Sequence, residues 1–380
     1  MREHHPVFDK FEVFSSDTIP VDCHWGFLGE IQRKHYDTEV AVVLGLDPIE
    51  YAPGQLRYGN PPPLNEEYHE WIDVLEAAIA AQNCFTMIEL GAGFGKWIGR
   101  GGLAVRLYHD HIPLKLIAVE AEPTHFQWLQ QHLKDNEFEP ESYELIEAAV
   151  DAQDGEVIFQ IGDPGSDYGQ SIVRDTTAVK STKRVPAVSL NRILSQLDKV
   201  DLIDLDIQGE EYRVLSSAIE PLNAKVKRIH IGTHGEDIER DLRELFRNHG
   251  WYKLNDYACQ KSQMTEWGMV SFGDGVQTWI NPRLSQVEPT VTELNRLQWV
   301  LSELEKKEQQ QWSDLQCLKQ EKQTLETKQQ IPKVAALETE QQIPKIAALE
   351  DRIAAMESSK FWKLRNTWFR IKRALGLKGE

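Results

Sequence analysis

The chain is poor in cysteine, has no long apolar run and, over most of its length, no concentration of basic residues. Its four cysteines, Cys23, Cys84, Cys259 and Cys317, are scattered without a Cys-x-x-Cys spacing. That excludes the usual zinc and disulfide frameworks and leaves reduced structural thiols. No stretch approaches the about 18–20 apolar residues of a membrane-spanning helix. The opening Met-Arg-Glu-His-His-Pro is not followed by an apolar signal core, so a cytoplasmic location is expected. The formal charge is −18, yet residues 360–380 carry seven Lys or Arg against one Glu, so that tail is +6 and the remainder −24. An acidic body of this kind excludes generic binding to nucleic-acid backbones, which needs clustered cations. With 380 residues, 41% of them hydrophobic, the chain can bury one full-sized core and still supply a second region.

What is present is concentrated in residues 85–95, Phe-Thr-Met-Ile-Glu-Leu-Gly-Ala-Gly-Phe-Gly. An apolar run ends in Glu and then in three alternate glycines, Gly91, Gly93 and Gly95, and Lys-Trp-Ile-Gly-Arg opens a helix. Such a turn sits at the carboxyl end of a buried strand, where open α/β sheets bind their ligands. A dinucleotide site prefers Gly-x-Gly-x-x-Gly, and Lys96 stands where the last glycine would be, which argues for a cofactor without a pyrophosphate. Glu89 precedes the first glycine by two residues, where a carboxylate can meet a cationic group. Glu120 ends the next apolar run, Leu-Lys-Leu-Ile-Ala-Val-Glu, where it can accept both ribose hydroxyls of an adenosine. S-adenosylmethionine, cationic and ribose-bearing but free of phosphate, fits this pair better than NAD. Asp151, at the end of a later strand, either accepts from the adenine amino group or is simply the first residue of a turn.

From residue 85 onward strand and helix signals alternate, the pattern of a largely parallel sheet covered on both faces. Residues 1–64 read as an irregular cap with one strand candidate at 40–45. Asn65 is expected to cap a helix in which Tyr68, Trp71, Ile72, Leu75 and Ile79 recur at helical spacing. Strands are expected at 85–90, 115–120, 143–151, 155–161, 200–207 and 226–232, with closing strands at 251–255, 268–272 and 276–280. Between them, 162–184 reads as a polar loop, a short helix is expected near 189–197 and a helix over 236–248 ending at Gly250. The globular part is placed at 65–284.

Four blocks then match a known family: Glu89–Gly95, Val-Glu-Ala-Glu-Pro at 119–123, Ala-Ala-Val-Asp at 148–151 with Gly155 downstream, and Asp-Leu-Ile-Asp-Leu-Asp-Ile-Gln-Gly-Glu-Glu at 201–211. Over roughly residues 60–255 the chain resembles the FkbM-type methyltransferases. The resemblance implies a Rossmann-like seven-stranded sheet with helices on both faces and an antiparallel last strand. It also implies S-adenosylmethionine as donor and methylation of a hydroxyl on a sugar or secondary metabolite. The chain departs from the family's Lys-x-Asp-x-Glu-Gly pattern: Asp204 stands at the Lys position and Gln208 at the first Glu position.

Methyl transfer from a sulfonium needs the acceptor held close, its proton removed and water kept out. Asp206, at the carboxyl end of its strand, and His234, two residues past the next, are the expected catalytic residues, His234 as the general base because of its ordinary pKa near about 6.5. The alternatives are a helix cap for Asp206 and an exposed loop histidine for His234; His230 reads as a satisfied core residue. Asp204, Asp206, Glu210, Glu211 and His234 together can hold a divalent ion, but no ligand triplet has diagnostic spacing and a metal-free site is expected. The loop 165–171, with one aromatic residue, suits the stacking of a sugar ring or an idle surface equally.

Beyond residue 290, Leu294, Leu297, Leu301 and Leu304 begin a 3-4 spacing continued by Leu315, Leu318 and Leu325, the seam of a coiled-coil stalk over 290–357. Homo-oligomerisation through it is expected. Gln-Gln-Ile-Pro-Lys-Val-Ala-Ala-Leu-Glu at 329–338 recurs at 341–350 with Ile for Val, a spacer or a slipped duplication. The tail 358–380 places Phe361, Leu364, Trp368, Ile371 and Leu375 on one stripe among cations, suited to an anionic membrane surface or to an acidic protein. Three readings follow: an O-methyltransferase acting on a saccharide or glycoconjugate, an inactive methyltransferase-fold scaffold, and an N-methyltransferase.

Overall fold

The computed structural model describes residues 4–12, 14–16, 22–36, 57–58, 62–164, 167–174, 181–285, 313–314, 316–320 and 322–324. The chain divides into two units, Met1–Thr292 and Glu293–Glu380. In the second, the described residues between 313 and 324 are helical. The rest of the expected stalk, the repeat and the basic tail lie outside the described residues, as does the strand candidate at 40–45.

The first unit is built on seven strands: β1 (Phe85–Leu90), β2 (Leu114–Glu120), β3 (Tyr143–Glu147), β7 (Val200–Leu205), β8 (Val226–Thr233), β9 (Tyr252–Tyr257) and β12 (Gly275–Ile280). They lie in the order β9-β12-β8-β7-β1-β2-β3. All pairs are parallel except those made by β12, which runs antiparallel to β8 and β9. Strands β1 and β7 are buried at every position, Glu89, Asp201 and Asp204 included, which is why their remaining positions are almost all apolar. Side chains alternate between the faces. Met87 and Leu202 meet helices α1 (Tyr68–Ile79), α2 (Lys96–Tyr108) and α3 (Pro123–Asp135), whereas Ile88, Leu90, Ile203 and Leu205 meet α4 (Leu190–Ser195), α5 (Glu211–Ser217), α6 (Ile219–Lys225) and α7 (Glu236–Asn248). The N-terminal residues pack on the first face, where Phe8 and Phe27 lie against Tyr68 and Trp71 at ring separations of 5.3 and 5.8 Å.

Four local expectations are corrected. Helix α1 starts at Tyr68, and Asn65 contributes only its main-chain carbonyl, which accepts from the Tyr68 N–H at 3.2 Å. The run 143–151 breaks at Ala148: its second part, β4 (Ala149–Asp151), leaves the main sheet for a three-stranded one ordered β4-β6-β5 with β5 (Gly155–Gln160) and β6 (Thr182–Ser189). Strand β6 was expected as loop up to residue 184 and helix from 189. Finally, 268–272 forms a hairpin of β10 (Lys261–Met264) with β11 (Met269–Phe272) outside the main sheet. Among the described residues no helix is long and apolar enough to cross a membrane, and all four cysteines are free.

Candidate functional site

The carboxyl ends of β1, β2 and β7 meet at a cleft of about 530 Å³, open to solvent on one side. Its polar wall includes Glu120, Asp206 and Gln208, its apolar wall Val150, Phe159 and Ile172, and none of its described lining residues is Lys or Arg. Gly91 forms its floor at φ +82°, and a Cβ there would lie 1.8 Å from the Asp206 carbonyl oxygen. Only glycine lets the two strand ends approach this closely. The Gly93 N–H donates to Glu120 Oε2 at 2.7 Å, while Glu120 Oε1 accepts from the Glu122 N–H at 2.6 Å. Burial pushes the Glu120 carboxyl up to about 7, against the pull of these N–H donors. Tyr168 stacks on His125 at 4.4 Å and donates its hydroxyl to the Tyr36 carbonyl, so the loop around it is held beside Gly93.

Three of the expected cofactor residues lie elsewhere. Glu89 accepts from the Trp97 N–H at 3.2 Å and the Ile98 N–H at 2.8 Å, so it caps helix α2 behind the cleft wall. Gly95 begins that helix, where a Cβ would strike Leu129 at 2.3 Å, and does not line the cleft. Asp151 also stays outside the lining: its Oδ1 accepts from Arg174 at 2.9 Å and from the Ala152 N–H at 2.7 Å, with Arg213 at 3.4 Å. Burial opposes its charge, but the Arg174 hydrogen bond wins and its pKa is lowered. Glu210, considered as a metal ligand, is spent on the same Arg174.

Asp206 and His234 do come together. His234 Nε2 lies 3.4 Å from Asp206 Oδ1 and 3.5 Å from Asp274 Oδ1, and its Nδ1 is 2.7 Å from Glu211 Oε1. Burial works against a charge on His234, but the nearby Asp274 carboxylate, the hydrogen bond to Glu211 and the field of Asp206 outweigh it, raising the imidazole pKa to about 10. A pKa of about 10 would keep His234 an imidazolium near neutral pH, ringed by three carboxylates, which does not suit the expected role of general base. The surrounding protein pushes Asp206 up to about 6, against the attraction of His234; because 46% of its side chain remains accessible, solvent tempers that effect. Gln208 donates to Asp206 Oδ1 at 3.1 Å, where a glutamate would set a like charge. Sequence reasoning missed Asp274, which arrives from the turn before β12, and the stacking of Tyr168 on His125; neither carries a local motif.

Comparison with known proteins supplies the family. Residues 103–251 match the model described as "Methyltransferase FkbM domain". Over 190 residues the chain is 28% identical to a protein of Jannaschia sp. (strain CCS1) named "Putative methyltransferase", covering 48% of this chain and 67% of that one. Among solved structures, precorrin-6y C5,15-methyltransferase from Geobacter metallireducens GS-15 aligns with 14% identity and a TM-score of 0.32, covering 56% of this chain and 88% of that one. A methyltransferase FkbM from Methylobacillus flagellatus KT aligns with 12% identity and a TM-score of 0.33, covering 52% and 44%. Superpositions this loose carry no weight, and the fold rests on the strand order itself. Over residues 103–251 the chain thus matches the FkbM methyltransferase domain.

Proposed function

We propose that this domain transfers a methyl group from S-adenosylmethionine to a hydroxyl of a saccharide or related metabolite. The observation that carries the reading is the Glu120 carboxylate opening onto a cleft whose described lining contains no Lys or Arg. A carboxylate suits a ribose diol, and the lack of cations argues against a pyrophosphate. The residues present fit the cofactor in a second respect: Gly91 and Gly93 bring bare backbone, without side chains, to the cleft at the strand end. Gly91, Gly93 and Glu120 would hold it, with Val150, Phe159 and Ile172 as the apolar wall for the base. When bound, it supplies an electrophilic methyl on a sulfonium.

The chain's own contribution is then modest. Asp206 accepts the acceptor's proton as the new bond forms. The His234 imidazolium beside it keeps the carboxylate ionised and oriented, and is itself fixed by Glu211. Tyr168, 38% exposed at the cleft mouth, is the aromatic available to a sugar ring, and its loop helps to exclude water. A second reading, methyl transfer to an amine, draws support from the carboxylates Asp206, Glu211 and Asp274 around His234, which also suit an ammonium. For the second unit we propose oligomerisation through the leucine seam and contact of residues 358–380 with an anionic membrane surface.

The test is to incubate the full chain with methyl-labelled S-adenosylmethionine and saccharide fractions, then to hydrolyse and identify the labelled product. Recovery as an O-methyl sugar is expected, with Asp206→Asn lowering the rate by about 10²–10⁴-fold while S-adenosylhomocysteine affinity is kept. Label recovered only on nitrogen would replace the hydroxyl reading, and no label in any acceptor would favour the scaffold reading.

A further inference from the structure

On the α1–α3 face of the sheet, behind the cleft, lies a second cluster that the methyl-transfer chemistry does not use. Glu70 of α1, Asp204 of β7 and His230 of β8 each bring one potential ligand atom to within 4.8 Å of the other two. Asp204 and His230 face each other in the β7–β8 register, and Asp204 is likewise level with Glu89 on β1.

Each member of the cluster is fixed from behind or left without a donor. His230 is 2% exposed, and its Nδ1 is held by Asp73 Oδ2 at 2.7 Å. Asp73 in turn receives Arg228 at 2.8 Å and the Thr278 hydroxyl. With Nδ1 engaged, Nε2 is the ring atom His230 has left to offer, an arrangement in which a carboxylate sets the tautomer of a metal-binding histidine. Asp204 is 3% exposed, and its Oδ1 has no donor unless Glu70 carries a proton, which burial and the neighbouring Asp204 favour by raising the Glu70 pKa well above the usual carboxylate range. Both oxygens of Glu89 already accept from the first turn of α2. Lys96 is bonded to Glu67. A buried carboxylate oxygen without a donor costs roughly 1–3 kcal/mol or more, and two further carboxylates beside it deepen that cost.

We propose that Glu70, Asp204 and His230 hold a divalent metal ion of the kind that accepts mixed carboxylate and imidazole ligands, such as Mn²⁺ or Zn²⁺. Atoms about 2.0–2.3 Å from a common ion lie no more than about 4.6 Å apart, so the cluster needs only small side-chain adjustments to close on one. Three protein ligands leave the other positions to water. The ion balances the charges of Glu70 and the buried Asp204 and ties α1 to β7 and β8, two residues before Asp206. This proposal stands apart from the methyl-transfer reading. The competing location is the rim, where Asp206, His234 and Asp274 also lie within 4.8 Å; there the two aspartates are about half accessible and keep their water.

The experiment titrates Mn²⁺ into chelator-treated full-length protein, followed by calorimetry and by the electron paramagnetic resonance of the bound ion, with the unfolding temperature read in parallel. One ion per chain and a rise in unfolding temperature are expected. Glu70→Gln, at a partly exposed helix position that tolerates the change, should weaken binding at least about tenfold and abolish the thermal shift. Asp274→Asn should leave both intact. No binding of Mn²⁺ or Zn²⁺ at millimolar concentration to the folded protein would overturn the proposal. So would binding that survives Glu70→Gln, or that is lost equally in Asp274→Asn.

Discussion

Replacing Glu120 by Gln should strengthen the free protein and weaken its hold on the cofactor. Glu120 is 7% exposed, and its carboxyl titrates at about 7 instead of 4.5. A carboxyl whose pKa is raised on folding costs nothing below its unfolded value, and the cost grows as pH rises until it is complete above the folded value. The window is therefore about pH 4.5 to 7. A shift of this size corresponds to at most about 3 kcal/mol. Glutamine removes that cost but can accept from only one of the Gly93 and Glu122 N–H groups, giving back about 1–3 kcal/mol. At pH 8 the variant should thus equal or exceed the wild type in urea unfolding, by up to about 2 kcal/mol. Binding moves the other way. Losing a charged acceptor for the ribose hydroxyls costs about 2 kcal/mol, or roughly 30-fold in the S-adenosylhomocysteine Kd. The wild type should also bind about tenfold more weakly at pH 6 than at pH 8, because the carboxylate must be ionised, and the variant should lose this dependence. Wild-type affinity that does not change between pH 6 and 8, or a variant that is destabilised yet binds normally, would refute the reasoning.

Two further outcomes are expected. Gly91→Ala combines an unfavourable backbone angle, at about 1–2 kcal/mol, with a Cβ overlapping the Asp206 carbonyl, so urea unfolding should show at least about 2 kcal/mol of lost stability and titration no S-adenosylhomocysteine binding. Nitrogen NMR of His234 should show a protonated ring through pH 8, as its pKa of about 10 requires; a midpoint near about 6.5 would return it to the role of general base.

The sheet was legible because its central strands are buried on both faces and so read as short, mainly apolar runs. Strand β6 was not: Thr182, Lys183 and Arg184 are exposed and Pro186 interrupts the run. It forms nonetheless because β4 pairs only with Ala187–Ser189, beyond the proline, while β5 covers the rest. In the site, Gly91, Gly93, Glu120 and Asp206 could be found from their places at strand ends, because topology alone brings those ends together. The partners of Glu89 and Asp151 could not, since a helix terminus eight residues on and an arginine in a distant loop leave no local pattern. His234 shows the same limit more sharply. Its position could be read along the chain, but its protonation depends on Asp206, Glu211 and Asp274, which converge only in the fold.

The most direct measurement is a calorimetric titration of S-adenosylmethionine, S-adenosylhomocysteine and NAD into the full chain and into Glu120→Ala. Micromolar binding of the first two, none of NAD, and a clear weakening in the variant are expected. Binding of NAD in their place, or of none of the three by the folded protein, would contradict the assignment of the cleft.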